Sequence, residues 1–222
     1  MGRDRRADAP ICCAQDFERL FDSVEALHDL DEYHASGPAA ATRHLIHILT
    51  SEGVDGATLI DVGAGIGAVH LELLGAGAAS AVDVDASRAF LELARQEAER
   101  QGHGAQVEHL YGDFAKLAPG LAKADVVTLD RVICCYPHIA ALLTAVADRA
   151  QRLVGIVHPV DAWWSRAGAA IFNVISDTFR RRHHFYVHQR RTVDAVLGAR
   201  GFRVAVRERV GFWEVSVYRA VG

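Results

Sequence analysis

Residues 58–85 read TLIDVGAGIGAVHLELLGAGAASAVDVD, and this stretch decides the fold. An apolar run comes first and is followed by three glycines at alternate positions, Gly63, Gly65 and Gly67. Leucines at helical spacing come next, and a second apolar run ends at two acids, Asp83 and Asp85. This order predicts a strand, a tight turn, a helix and a second strand with a carboxylate at its tip.

Such a unit is typical of nucleotide binding. Glycine has no Cβ, so a ligand can approach the backbone of the turn, and the helix that follows directs N–H groups at it. Asp83 lies 22 positions after Asp61, close to the offset of about 20 residues at which a carboxylate accepts the ribose hydroxyls. A tight turn without a ligand would explain the glycines but not the distal acid.

The choice of nucleotide depends on the details of the turn. Gly63, Gly65 and Ala68 satisfy the dinucleotide pattern G-x-G-x-x-G/A, but that pattern requires neither Asp61 nor Gly67. The segment DVGAGIG resembles the first motif of class I S-adenosylmethionine-dependent methyltransferases, acid-x-Gly-x-Gly-x-Gly. The resemblance continues through AVDVDAS, YGDF and ADVVTLDRV, and covers about residues 58–160.

The resemblance implies S-adenosylmethionine as cofactor and S-adenosylhomocysteine as product. In that family the glycine turn holds the methionine moiety, the acid ending the second strand holds the ribose, and the third-strand acid lies near the adenine amine. Carried over to this chain, the expected cofactor-binding residues are Asp61, Gly63, Ala64, Gly65, Gly67, Asp83, Val84, Asp113, Phe114 and Asp130. For Asp113, an ordinary helix cap remains the alternative.

The whole pattern predicts an α/β fold. Strands alternate with helices, which indicates a parallel sheet with right-handed crossovers and a ligand at the carboxyl ends of the strands. Two runs around Gly211, at 202–210 and 212–218, read as strands, and the resemblance implies that they form a closing antiparallel hairpin. We therefore expect a Rossmann-like three-layer αβα sandwich with a seven-stranded, mostly parallel sheet.

The expected organisation has three parts, namely a disordered tail (1–13), an N-terminal helical cap (14–52) and a methyltransferase domain (53–222) with a helical insertion near 161–190. The cap should contain helices at 14–30 and 38–51, with Tyr33 and His34 in the connection. Tyr33 and His34 are expected either to close over the ligand or to form a surface turn. The insertion should contain an apolar helix at 169–179, followed by a basic run at 180–182 that forms a solvated helix end or an anion-attracting rim.

Methyl transfer requires an acceptor placed in line with the methyl group and, for some acceptors, a base. The candidates for base are His158 and Tyr136, while Arg131 could pair with an anionic acceptor or with Asp130. The candidates for substrate binding are Tyr33, Cys134, Trp163 and Trp164. For the tryptophans, ordinary core packing is an equal alternative to an aromatic wall.

Composition narrows the class of partner. The net charge of −4 and the pI of about 6.3 argue against a general nucleic-acid binder. No apolar run reaches the roughly 20 residues of a membrane span, and the charged first ten residues do not form a signal peptide. The cysteines form two adjacent pairs, 12–13 and 134–135, which read as reduced thiols of a cytoplasmic protein. No metal-binding motif occurs among the 12 histidines.

The predicted function is transfer of a methyl group to a small molecule, by a monomer or a homodimer. An N-terminal cap is shared with magnesium-protoporphyrin and ubiquinone-type O-methyltransferases, so the loose similarity suggests O-methylation of an aromatic or carboxylate substrate. Two alternatives stay open: an NAD(P)-dependent oxidoreductase on the same half-fold, and a non-catalytic module that binds the cofactor.

Overall fold

A computed structural model describes residues 23–178 and 184–221, apart from the side chain of Asp177. Within these ranges seven strands form one sheet in the order β3-β2-β1-β4-β5-β7-β6. The strands are β1 (Thr58–Val62), β2 (Ser80–Asp85), β3 (Val107–Tyr111), β4 (Ala124–Asp130), β5 (Ala150–Pro159), β6 (Phe202–Val210) and β7 (Trp213–Ala220). The tail predicted at 1–13 and the helix start predicted at Ala14 lie outside the described residues.

Eight α-helices flank the sheet in the described ranges. They are α1 (Ser23–Ser36), α2 (Ala40–Ser51), α3 (Ala68–Gly75), α4 (Arg88–Arg100), α5 (Phe114–Leu117), α6 (Ile139–Arg149), α7 (Trp163–Thr178) and α8 (Arg190–Gly198). None of these helices is long and apolar enough to cross a bilayer.

The five strands β1 to β5 are parallel, and β7 pairs antiparallel with both β5 and β6. Side chains on a strand alternate between faces, and both faces are covered. Leu59 and Val126 pack in the core under α2 and α3, whereas their neighbours Ile60 and Val127 pack in the core under α6 and α8. Burial on both faces explains the continuous apolar runs of the sequence. The predicted seven-stranded, three-layer fold is confirmed.

The N-terminal helices differ from the prediction in one respect. Tyr33 and His34 lie inside α1, so their expected place in a connection is wrong. The helix ends later, at Ser36, and the next residue, Gly37, adopts φ +72° and donates its N–H to the carbonyl of Tyr33. A left-handed glycine followed by a proline commonly ends a helix. The helix therefore continues past residue 30, where the apolar spacing predicted its end.

Residues 163–178 form one helix. α7 begins at Trp163, six positions before the predicted start at Ala169, so the paired tryptophans form its first turn. Residues 184–189 run without regular structure. There the N–H of Tyr186 donates to the carbonyl of Cys134, and His188 Nε2 lies 2.9 Å from the carbonyl oxygen of Ile133.

Candidate functional site

A cavity of about 300 Å³ opens at the carboxyl ends of β1, β2 and β4, beneath α1. The chain reverses its strand order here, since β1 pairs with β2 on one side and with β4 on the other. Open α/β sheets bind ligands at this position. The predicted residues that line it are Gly63, Ala64, Gly65, Val84, Asp113, Phe114, Asp130, Arg131 and Tyr136.

The glycine turn forms one wall of the cavity. Gly63 and Gly65 both adopt φ +59°, a conformation in which side chains are strained. A Cβ on Gly63 would also lie 2.7 Å from Cγ2 of Val132. Gly67 lies outside the cavity lining, at the start of α3, where a Cβ would lie 2.7 Å from His70 Nε2. The structure therefore gives Gly67 a packing role in place of the predicted contact with a ligand.

Asp85 is the acid that reaches the cavity from β2. Its Oδ2 accepts the N–H of Gly65 at 3.0 Å, and its Oδ1 accepts the N–H of Ser87 at 2.8 Å. Burial raises the pKa of this carboxyl to about 6. The backbone N–H of Ala86 also bonds to this carboxylate. Because a carboxylate has about four acceptor sites, Asp85 can still accept a donor from a ligand.

Asp83 does not line the cavity, and its predicted placement is wrong. It is fully buried, and His109 Nδ1 lies 2.8 Å from its Oδ2. Residues two apart on a strand share a face, so Asp83 points the same way as Asp85 but lies one pleat deeper. The strand continues to Asp85, which pairs with Tyr111 of β3, and this later end puts Asp85 at the rim.

Asp61 is also buried and away from the cavity, against its prediction as a ligand residue. Its Oδ1 accepts the hydroxyl of Thr128 at 2.7 Å, and its Oδ2 lies 3.0 Å from Nδ1 of His70. These two contacts tie β1 to β4 and to α3. Asp61 thus supports the glycine turn from below.

The acid after β3 serves two structural purposes. Asp113 caps α5 by accepting the N–H of Ala115, and the same oxygen accepts the hydroxyl of Tyr136 at 3.1 Å. Phe114 packs beside it at the cavity wall. The helix cap, which was the alternative for Asp113, is thus observed, whereas its contact with adenine stays a prediction. The hydrogen bond from Tyr136 holds that side chain at the same end of the cavity.

Asp130 ends β4, and its carboxylate has one hydrogen-bond donor and one neighbouring cation. Thr42 of α2 donates its hydroxyl to Oδ2 of Asp130 at 2.6 Å. Oδ1 of Asp130 accepts no hydrogen bond from the described residues, and its nearest cation is Nε of Arg131 at 3.5 Å. Burial raises the pKa of Asp130. Arg131 itself adopts φ +59°, with its N–H bonded to the carbonyl of Val157.

His158 is buried outside the lining of the cavity, so the structure does not place it where a base facing the acceptor was expected. It is buried between Pro159, whose carbonyl lies 3.0 Å from Nδ1, and Glu214, whose Oε1 lies 3.5 Å from Nε2. Burial lowers the pKa of this imidazole. Strand β5 ends next to the antiparallel β7, and that neighbour covers His158.

Three of the four predicted substrate residues lie at other surfaces, and the fourth is buried. Tyr33 donates to Glu72 in a separate shallow depression, where burial raises its pKa to about 12. Cys134 is buried, and its neighbour Cys135 lines the cavity in its place. Trp163 and Trp164 lie on the outer part of α7, away from the cavity lining.

Comparison with known proteins agrees with this geometry. Residues 59–153 match the family model described as a methyltransferase domain. These residues form a class I S-adenosylmethionine-dependent methyltransferase domain. They contain β1 to β4 and every strand end that meets at the cavity.

Individual relatives of this methyltransferase domain are distant. The chain is 31% identical over 106 residues to the ribosomal protein L11 methyltransferase of Photorhabdus laumondii. That match covers 48% of this chain and 35% of the relative, so the chain matches about a third of the length of that curated protein.

Solved structures share the fold over most of the chain. Magnesium protoporphyrin IX methyltransferase from Synechocystis PCC 6803, solved with bound S-adenosylhomocysteine, aligns with a TM-score of 0.66 at 19% identity and covers 93% of each chain. An O-methyltransferase family protein from Burkholderia thailandensis aligns with a TM-score of 0.67 at 17% identity, over 91% of this chain and 64% of the other.

The charge of the methyltransferase cavity suits its cofactor. Five carboxylates line it, and Arg131 is its one cation among the described residues; the acids are Glu25, Asp29, Asp85, Asp113 and Asp130. S-adenosylmethionine carries a sulfonium and an ammonium, which such a cavity attracts, whereas the pyrophosphate of a dinucleotide would be repelled. The residues present therefore fit S-adenosylmethionine.

Sequence reasoning missed three of the residues that build this site. Glu25 and Asp29 lie one turn apart on α1, with Ala26 between them packed on Ile66 and Phe90. The acid pair at i and i+4, next to a buried alanine, is a signal that could have identified the helix face. Thr42 carries no such local signal. No group of three or more His, Cys, Asp or Glu side chains suited to a metal occurs in the described residues.

Proposed function

We propose that this protein transfers the methyl group of S-adenosylmethionine to a small molecule that carries a hydroxyl or amine. The observation that carries the proposal is the single cavity in which the glycine turn, Asp85 and Asp130 converge. The match of residues 59–153 to the methyltransferase domain supports the choice of cofactor.

The cofactor end of the cavity is formed by three elements. The backbone of Gly63 to Gly65 takes the amino-acid part, and the carboxylates of Glu25 and Asp29 face its ammonium from α1. Asp85 accepts the ribose hydroxyls, which hydrogen bond most strongly to an ionised carboxylate. Phe114 and Asp113 hold the adenine. The bound sulfonium supplies an activated methyl group that needs no further activation by the protein.

Asp130 is the proposed base at the acceptor end. Thr42 occupies Oδ2, and this fixes the carboxylate so that Oδ1 is the oxygen left for an incoming donor. A hydroxyl or ammonium group of the acceptor would donate to that oxygen and then lose its proton to it. The raised pKa of Asp130 favours such a transfer.

The same carboxylates disfavour a carboxylate acceptor, because Asp29 and Asp130 would repel it. Among the described residues that line the cavity, Arg131 is the one cation that could offset the repulsion, and its Nε already lies 3.5 Å from Asp130. We therefore favour a hydroxyl or amine over the carboxylate alternative. The cavity of about 300 Å³ beneath α1 has the size of a small-molecule site.

Cofactor choice is tested by calorimetric titration of the purified protein with S-adenosylhomocysteine and with NAD. We expect binding of the first and none of the second, and a loss of about tenfold or more in affinity for Asp85→Asn. The control is Asp148→Asn, which makes the same substitution on α6, where Asp148 forms an exposed ion pair with Arg200. Binding of NAD without binding of S-adenosylhomocysteine would contradict the proposal.

The class of acceptor is tested by incubating the protein with methyl-labelled S-adenosylmethionine and a cell extract separated by size. We expect label in the small-molecule fraction, and none with Asp130→Asn. Label confined to the RNA or protein fraction would overturn the small-molecule assignment while leaving the methyl transfer intact.

A further inference from the structure

Helix α7 carries its apolar side chains on its outer surface. The side chains that face the body of the protein are small or polar: Ser165, Ala169 and Ser176 are buried. Trp163 is 77% exposed, Val174 65% and Ile171 64%. At 3.6 residues per turn these three positions fall on one side of the helix. A surface helix normally has the opposite arrangement, so this face is built to be covered by something apolar.

Aromatic rings extend this outer face across the neighbouring loop. Trp164 lies 5.9 Å from Phe212, between the ring centroids, and Phe212 lies 6.2 Å from Phe185. Phe212 follows β6, and its carbonyl accepts the N–H of Val160 after β5. Because β5 and β6 both run antiparallel to β7, they point the same way. This surface therefore lies at the carboxyl ends of the strands, as the cavity does. We call α7 together with Phe212 the apolar edge.

Cations accompany the apolar edge. The guanidinium of Arg209 lies 5.5 Å from the ring of Trp164. Arg191 is exposed at the start of α8, and Arg166 is exposed on α7, where it pairs with Asp161. From position 162 to 193 the sequence contains six arginines and a single acid, Asp177, in a chain whose net charge is −4. The charge of this segment is thus opposite to that of the whole chain.

We propose that the apolar edge binds to the surface of an anionic lipid bilayer. Helix α7 has 16 residues and is about 24 Å long, too short to cross a hydrocarbon core of roughly 30 Å. Tryptophan and arginine around an outward apolar face are the features of a helix that lies in the plane of the interface. Anionic headgroups complement the arginines, which a second copy of this basic surface would not. The proposal goes beyond methyl transfer and does not depend on it.

Vesicle flotation tests the proposal with the full-length protein. Vesicles of phosphatidylcholine alone are compared with vesicles that contain phosphatidylglycerol as well. We expect most of the protein to float with the anionic vesicles and little with the neutral ones, and added salt should weaken the binding because it screens the arginines. The variant Ile171→Glu/Val174→Glu should lose binding by about tenfold or more.

Val204→Glu is the matched control. Val204 is apolar and 40% exposed, but it lies near the start of β6, at the end of the strand that is remote from Phe212. It should float like the wild type. The proposal is overturned if the wild-type protein stays with the soluble fraction, or if both variants float equally well. It is also overturned if sedimentation shows a dimer that only the double variant dissociates, since a second copy would then cover the face. Titration with S-adenosylhomocysteine should give wild-type affinity for both variants, which separates this test from that of the cofactor site.

Discussion

The hydroxyl of Thr42 donates a 2.6 Å hydrogen bond to Oδ2 of Asp130, and this contact joins the cap helix α2 to the end of the central strand β4. Thr42 is itself buried. The bond favours the ionised form of Asp130 and opposes the effect of burial on its pKa. Helix α2 therefore acts directly on the end of the cavity that we propose for the acceptor.

Replacing Thr42 by valine tests that coupling. Without the hydroxyl, the pKa of Asp130 should rise further, so the base is protonated at a higher pH and the acid limb of the pH–rate profile moves to higher pH. We expect kcat to fall about fivefold to tenfold near neutral pH, with unchanged affinity for S-adenosylhomocysteine. Thr50→Val, at an exposed position of the same helix, is the control. An unshifted profile in Thr42→Val would remove Thr42 from the mechanism.

Asp130→Asn should have a larger effect on the same step. An amide cannot take the proton of the acceptor, and general base catalysis typically contributes about 10²- to 10⁴-fold. We expect a loss of kcat in that range, measured with the acceptor found by labelling. Affinity for S-adenosylhomocysteine should change by less than about threefold. A variant that retains full kcat would show that the acceptor needs no base from β4.

The affinity for S-adenosylhomocysteine should depend on pH through Asp85. The pKa of the free carboxyl is about 6 because it is buried, and ribose hydroxyls donate best to its ionised form. Binding therefore lowers this pKa, so affinity should be constant above about pH 7 and fall as the pH drops through 6. Calorimetry between pH 5 and 8 measures the slope. Asp85→Asn should show no such slope, and an identical slope in the variant would assign the titration to another group.

Gly63→Ala should destabilise the fold by about 2–4 kcal/mol. Its φ of +59° strains any side chain, and the new Cβ would lie 2.7 Å from Val132 Cγ2. Gly211→Ala is the control for strain alone, since its φ is +61° with no atom within 4 Å of the built Cβ. Urea unfolding of both variants and of Gly63→Ala/Val132→Ala separates the two effects. Failure of the second substitution to restore part of the loss would contradict the steric account.

Asp61→Ala should cost about 3 kcal/mol or more in unfolding free energy. It leaves the buried His70 without its carboxylate partner, and it leaves the buried hydroxyl of Thr128 with only the carbonyl of Ile60, at 3.4 Å. Asp148→Ala, which breaks an exposed ion pair, should change stability by less than about 1 kcal/mol. Equal unfolding midpoints for the two variants would show that the network beneath the glycine turn is dispensable.

Local patterns in the sequence were sufficient for most of the fold. Strand Phe202–Val210 has the predicted bounds, and helix Ala40–Ser51 ends at the predicted residue. Alternation of helices and strands predicted the parallel sheet, and Gly211 between two apolar runs marked the hairpin. These features depend on neighbours within a few positions, where side-chain periodicity decides the secondary structure.

The choice between Asp83 and Asp85 needed the tertiary structure. Both acids share one face of β2, so alternation alone treats them alike. Only the pairing of Asp85 with Tyr111 extends the strand far enough to bury Asp83 and leave Asp85 at the rim. His158 was misplaced for a related reason, because β7 covers the strand end that carries it.

The sequence by itself determined the doubly wound sheet, the glycine turn and the class of cofactor, because each is set by residues close together in the chain. Only the tertiary structure decided which acids face the cavity and what holds them. Thr42 and Asp130 are 88 positions apart, and Glu25 and Asp29 reach the cavity only because α1 packs across the turn at Gly63 to Gly65. Contacts of that range follow from how whole elements pack, which no local pattern encodes.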